Sequence, residues 1–137
     1  MRSTTALLIG GLAGAAFLAG IAAGRLSAQT GASARPTILL TKSLAAAGFD
    51  GVVGRGEVPP GVAAPKHFHH GDELVVLLEG EVDVEFDGAP TVRVKAGEAM
   101  HVEANRIHRP KSVGTVPAKY ISVWIVEKGK PLAVSVP

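Results

Sequence analysis

Short runs of alternating apolar and polar residues, separated by glycine, proline and aspartate, make up most of the chain after residue 50. In the clearest case, apolar residues alternate with acids before an Asp87-Gly88-Ala89-Pro90 turn and with bases after it. The apolar positions are Val82, Val84, Phe86, Val92 and Val94. Period-two alternation around such a turn predicts an antiparallel hairpin with one buried face. Several such strands in a row predict an all-β sandwich or barrel, jelly rolls included.

Three segments depart from this simple alternation. Residues 73–78 and 119–126 are more continuously apolar, which predicts strands covered on both faces. Residues 41–48 predict one or two helical turns, with Thr41 as the N-cap and Gly48 as the stop.

The first 34 residues predict a targeting segment with a short tether. Arg2 supplies a positive start, residues 3–24 carry no charge, and small residues follow. A cleaved secretory signal peptide is the favoured interpretation. The uncharged run is also long enough to span a bilayer, so an uncleaved membrane anchor is the alternative. Either way, residues 35–137 are predicted to form a single β-barrel domain that is periplasmic, extracellular or anchored facing outward.

Composition excludes several classes of protein. The chain has no cysteine, which rules out disulfide frameworks and thiolate metal sites. Without Arg2 and Arg25, 12 basic residues face 12 acidic ones. A neutral domain lacks the basic footprint of a nucleic-acid-binding protein.

Most of the side chains able to bind a metal lie in two clusters. In a strand, residues two apart point to the same side, so His67 and His69 can present both imidazoles to one point. Glu73 opens the next apolar strand and can return its carboxylate there, and His108 lies on a turn further along. Three imidazoles and one carboxylate predict a site for one divalent transition metal: Fe, Mn, Ni, Cu or Zn. Such a site keeps a net charge of about +1 and favours an anionic or enolate-like ligand.

The first cluster also resembles the first sequence motif of the cupin superfamily. The spacing of that motif is reproduced without a gap by Gly61, His67, His69, Glu73 and Gly80. The resemblance covers about residues 52–126. It implies a double-stranded β-helix barrel with a metal inside its mouth, and often a homodimer. It implies no particular reaction, because this fold serves many functions.

The second motif, between Gly97 and His108, is looser. Glu103 stands where the family has proline, Asn105 where it has glycine and Ser112 where it has asparagine. Asparagine tolerates the left-handed backbone conformation that glycine would supply, so the turn before His108 is expected to persist.

Four further residues are candidates for contact with a substrate. Tyr120 and Trp124 share one strand face, although a core position is the favoured interpretation of Trp124. His101 precedes the His108 turn, which leaves its direction open. Arg106 lies beside His108 and could draw in an anion, but charged loop residues more often form a solvated face. His70 is expected to turn away from the metal, because it is out of period with His67 and His69.

The combined interpretation is an exported metal-binding protein that acts on a small organic, preferably anionic, molecule. A dioxygenase-type oxidoreductase is the leading class, with no catalytic residue assigned. A non-catalytic module for binding or sensing a small ligand is the alternative, since the domain is minimal and the chain has few aromatic residues. Lyase or isomerase chemistry is a third class, which would need a base such as Tyr120 or His101.

Overall fold

Ten β-strands form the regular structure of residues 35–137, the part of the chain that the computed structural model describes. In chain order they are β1 (Thr37–Ser43), β2 (Phe49–Val58), β3 (His67–Phe68), β4 (Gly71–Glu79), β5 (Glu81–Phe86), β6 (Ala89–Lys95), β7 (Ala99–Val102), β8 (His108–Ser112), β9 (Ala118–Glu127) and β10 (Val134–Ser135). The predicted signal or anchor segment lies outside the described residues. Within the described part no helix forms, and so none could cross a bilayer.

The strands form two five-stranded antiparallel sheets. The first has the order β1-β2-β9-β4-β7 and the second the order β10-β3-β8-β5-β6. Strands far apart in the sequence are neighbours in both sheets, as in a jelly roll. The predicted all-β class is confirmed.

The core lies between the two sheets. Its main cluster combines Val58 and Leu77 of the first sheet with Val82, Val84 and Val94 of the second. Each is less than a tenth exposed. Apolar residues at alternate positions of each strand face this core, because successive side chains point to opposite sides of a sheet.

The predicted hairpin is confirmed as β5 and β6. Val82 pairs with Val94 and Val84 with Val92, and the predicted pairing of acids with bases places Asp83 opposite Arg93. The Arg93 Nε atom lies 2.6 Å from the Asp83 carboxylate, and this contact lowers the pKa of that carboxyl. The turn is tighter than predicted, since β6 already begins at Ala89.

The predicted helical turns at residues 41–48 are wrong. Residues 41–43 belong to β1, where Thr41 pairs with Val52 of β2, and residues 44–48 form a turn. A helix of one or two turns is unfavourable to nucleate, whereas pairing with β2 satisfies the backbone groups of the whole strand. Gly48 still ends the segment, with a positive φ of 86°.

The prediction that residues 73–78 are covered on both faces is also wrong. Leu74, Val76 and Leu78 of β4 point away from the core and are 46%, 41% and 57% exposed. In the described part of the chain, nothing packs over this outer side of the first sheet enough to bury them.

Candidate metal centre

Three histidines converge on one point because two short strands pair there. His67 of β3 lies directly opposite His108 of β8, and their ring centroids are 4.3 Å apart. His69 follows β3 immediately, with its ring centroid 5.0 Å from that of His67 and 5.3 Å from that of His108. One nitrogen from each ring lies within 4.8 Å of the other two. The three histidines could therefore form a metal site.

Backbone carbonyls fix the direction of all three rings. The Nδ1 atoms lie within hydrogen-bond distance of carbonyl oxygens: His67 on Pro65 at 2.8 Å, His69 on Leu132 at 2.5 Å and His108 on Arg106 at 2.9 Å. A carbonyl oxygen only accepts hydrogen bonds, so in each neutral ring Nδ1 carries the proton and donates it. The Nε2 lone pairs are then free, and this is the usual way in which a protein orients histidine ligands.

Glu73 brings a carboxylate against two of the three histidines, His69 and His108. Its Oε2 atom lies 3.2 Å from His69 Nε2 and 3.5 Å from His108 Nε2. All three residues are buried, and His69 Nε2 has no hydrogen-bond partner. When Nδ1 carries the ring proton, the carboxylate oxygen and the Nε2 lone pairs are all acceptors, and a cation between them would relieve this contact. The residues present therefore fit a divalent metal.

The ionisation states of the cluster also suit a divalent metal. Burial, together with the neighbouring His108 and His69, lowers the pKa of His67 to about 4, so this imidazole is neutral at ordinary pH. Burial raises the pKa of the Glu73 carboxyl, and a proton or positive charge at the Nε2 atoms of His108 and His69 lowers it. A metal ion bound at the same atoms would act in the same direction. A neutral imidazole and an ionised carboxylate are the forms that bind metals.

The cluster forms one end of a cavity of about 100 Å³ between the sheets. Apart from the cluster, Tyr120 and Trp124, its lining is apolar throughout. The site can therefore hold a metal and a small molecule beside it, between largely apolar walls.

Residues 54–125 match the model of the cupin domain family, Cupin_2. The chain is a cupin. This confirms the resemblance, and the two sheets are those of the double-stranded β-helix.

Solved structures agree with this assignment. An uncharacterized conserved protein with a double-stranded β-helix domain from Klebsiella pneumoniae subsp. pneumoniae MGH 78578 is 21% identical, with 74% of this chain and 84% of that chain covered and a TM-score of 0.61. A cupin-like protein from Thermotoga maritima MSB8 is 17% identical over 74% of each chain, with a TM-score of 0.61. DMSP lyase DddQ from Ruegeria pomeroyi DSS-3 is 20% identical, with 82% of this chain but 56% of that chain covered and a TM-score of 0.61. At these identities the likenesses establish the fold alone. No curated protein matches the chain.

The four weaker candidates divide into two pairs in this cupin. Tyr120 and Trp124 both line the cavity, and Trp124 also belongs to the buried core. His101 instead lies on the outer face of β7, half exposed, with its Nε2 atom 2.8 Å from Asp72 Oδ1. The Arg106 guanidinium lies over the Phe86 ring, 5.6 Å from its centroid, and Arg106 does not line the cavity.

The alternation of side chains between the two faces of a strand explains where His101 and His70 point. Met100 and Val102 take the inward positions of β7, so His101 between them must face outward. His70 packs edge-on against Phe68, with ring centroids 5.2 Å apart, away from the three histidines.

Sequence reasoning missed two groups that shape the site. The Leu132 carbonyl, which orients His69, comes from a residue 63 positions away and leaves no signal in the sequence. Gly54 and Gly56 take inward positions of β2, where a Cβ would overlap the rings of Trp124 and Tyr120 respectively. Two glycines at alternate positions of one strand were the signal that could have predicted a close approach of other side chains to β2.

Proposed function

We propose that His67, His69, Glu73 and His108 hold one divalent transition metal (Fe, Mn, Ni, Cu or Zn) and that this cupin is an exported, dioxygenase-type oxidoreductase for a small organic anion. The observation that supports it most is the meeting of the Glu73 carboxylate with His69 Nε2 and His108 Nε2 at one end of the apolar cavity. Such an arrangement is costly without a cation and is common around one.

The residues of the chain have separate tasks in this proposal. The rings of the three histidines are oriented by backbone carbonyls, so little reorganisation is needed to bind the metal. Glu73 offsets part of the charge of the metal. The apolar walls exclude water, which strengthens the attraction between the centre and an anionic head group. A bound metal would supply Lewis acidity and, for a redox-active ion, reactivity towards dioxygen.

An oxygen electrode tests the reaction class. The purified protein is loaded with Fe²⁺ and offered small enolisable and aliphatic acids. We expect oxygen uptake that depends on the metal and is lost in Glu73→Gln, which keeps the size of the side chain and removes its charge. Glu79→Gln is the matched control, because Glu79 pairs with Lys119 on the surface. Uptake that is unchanged in Glu73→Gln would contradict the proposal.

Two other outcomes correspond to the alternatives. Tyr120 of β9 lines the cavity, and burial raises the pKa of its hydroxyl to about 12. Its hydroxyl can contact a ligand there, and DMSP lyases are among the proteins that share the fold. Turnover without oxygen uptake would therefore favour lyase or isomerase chemistry. Saturable binding without turnover would favour a non-catalytic binding or sensing module.

Export is a separate part of the proposal. The uncharged run of residues 3–24 and the small residues after it support a cleaved signal. The small-residue sites Leu26-Ser27-Ala28 and Ala32-Ser33-Ala34 are the expected cleavage sites, so N-terminal sequencing of the protein from the exported fraction would show a start at residue 29 or residue 35. A start at Met1 in a membrane fraction would favour the anchor instead.

A further inference from the structure

The cavity has a polar end and an apolar remainder. The polar end is the histidine and glutamate cluster. Further in, the lining side chains are those of Val58, Val75, Leu77, Val82, Val84 and Val94. Glu73 is the one acidic residue among those that line the cavity, and no lysine or arginine lines it.

The strand register shows that these residues lie in successive layers. Inward-facing residues that pair across strands occupy the same level, so Glu73, Trp124 and Val102 form the level of the metal centre. Val75 and Met100 lie one level deeper, and Leu77 and Tyr120 lie two levels deeper. Each level spans two residues of a strand, or about 7 Å. The cavity thus extends away from the centre along the barrel axis.

Two glycines of β2 keep this space open. Trp124 and Tyr120 lie against β2 where Gly54 and Gly56 have no side chains, and a Cβ at either glycine would overlap the neighbouring ring. The two aromatic rings therefore lie along the wall, and aliphatic side chains form the rest of the cavity around its axis.

The volume limits what can enter. Sites for larger ligands measure about 300–1,000 Å³, and an apolar cavity of about 150 Å³ admits benzene. A cavity of about 100 Å³ therefore has room for about four or five non-hydrogen atoms beside the metal centre. Catechols and flavonols are too large to enter it in this conformation.

We infer that the ligand of this site is a short-chain aliphatic acid of about three to five carbons. Its carboxylate lies at the metal centre, and its chain lies along Val75 and Leu77 towards Val94. The inference rests on the proposed function for its head group, because the metal supplies the charge that holds the carboxylate. The chain-length limit rests on the cavity alone.

Calorimetry with straight-chain carboxylates from acetate to octanoate tests this inference on the protein loaded with Zn²⁺, which needs no turnover. Each buried methylene is expected to tighten binding roughly fourfold. We expect this gain to continue up to butanoate or pentanoate and binding to weaken at least tenfold from hexanoate onward. Equal affinity along the series, or a gain that continues to octanoate, would overturn the inference.

Variants at Val94 locate the chain. Val94→Ala is expected to move the limit one carbon longer, and Val94→Ile, which fills the same end, one carbon shorter. Val92→Ala is the matched control on the same strand, since Val92 is exposed and does not line the cavity. A limit that stays at the same length in both Val94 variants would contradict this placement. The wild-type series decides the chain length even if a variant fails to fold.

A zinc titration separates this inference from the proposed function. If zinc binds but the affinities of the carboxylates do not depend on chain length, the inference fails and the metal site stands. If neither zinc nor Fe, Mn, Ni or Cu binds, the proposed function fails. The chain-length limit is then tested on the same protein with straight-chain alcohols, which need no charge at the head.

Discussion

At the scale of single residues, the site depends on backbone carbonyls that bond the Nδ1 atoms of the histidines and leave the Nε2 atoms available for a metal. The spacing of His67, His69 and Glu73 was enough to predict that they would meet, because period two and a short turn act locally. The orientation of the imidazoles was not predictable. The carbonyl that fixes His69 belongs to Leu132, and its position depends on how the end of the chain packs.

Gly56 provides a residue-scale test of how the cavity wall is built. Gly56→Ala would place a methyl group on the Tyr120 ring, so either the ring or β2 must shift. We expect a loss of about 1–3 kcal/mol in the free energy of unfolding, the usual cost of overpacking a core. Urea denaturation measures it.

Gly114→Ala is the matched control for that experiment. A Cβ at Gly114 would meet its nearest neighbour, Glu81 N, at 3.5 Å, which is ordinary contact. The free energy of unfolding is expected to change by less than about 0.5 kcal/mol. Equal stability of the two variants would show that Tyr120 does not lie against Gly56.

At the scale of strands, alternation predicted the β5–β6 hairpin and its register, because its turn and its cross-strand pairs are all local. The same reasoning failed for residues 41–48, where the pairing partner decides the structure. It also failed for β4, whose apolar outer residues Leu74 and Val76 are exposed. A sequence pattern shows that a face is apolar, but it does not show what covers that face.

The hairpin offers a matched pair of substitutions. Val84 and Val92 are direct cross-strand partners, but Val84 is 4% exposed and Val92 is 43% exposed. Val84→Ala is expected to lower the free energy of unfolding by about 2 kcal/mol, from lost burial and the cavity that remains. Val92→Ala is expected to change it by less than about 0.5 kcal/mol. Both side chains lie on the same face of the hairpin, so similar costs in urea denaturation would mean that Val92 is buried as deeply as Val84.

At the scale of the whole molecule, the outer face of the first sheet has an exposed apolar centre with charged residues, such as Asp72 and Lys119, around it. One row across it runs from Leu40 through Val53 and Val123 to Leu74, each paired with the next. Five strands about 4.8 Å apart and about 25 Å long cover roughly 600 Å². Two such faces would bury about 1,200 Å², which reaches the size of specific interfaces.

We therefore expect a second copy of this chain to cover that face in a symmetric dimer, with the two sheets stacked. Sedimentation equilibrium should give twice the mass of the chain, and Leu74→Glu should give the mass of one chain. Val92→Glu, on the other sheet, is the control and should remain a dimer. A wild-type protein that is monomeric at concentrations of tens of micromolar would contradict this expectation.

The central claim is that His67, His69 and His108 bind a metal, and metal analysis of the purified full chain tests it most directly. The account predicts about one equivalent of a first-row transition metal in the wild type, and its loss in His67→Ala, His69→Ala and His108→Ala. His70→Ala and His101→Ala are the matched controls and should keep the metal, since both side chains point away from the cluster. A folded wild-type protein that takes up no metal, or equal metal content in all five variants, would contradict the account.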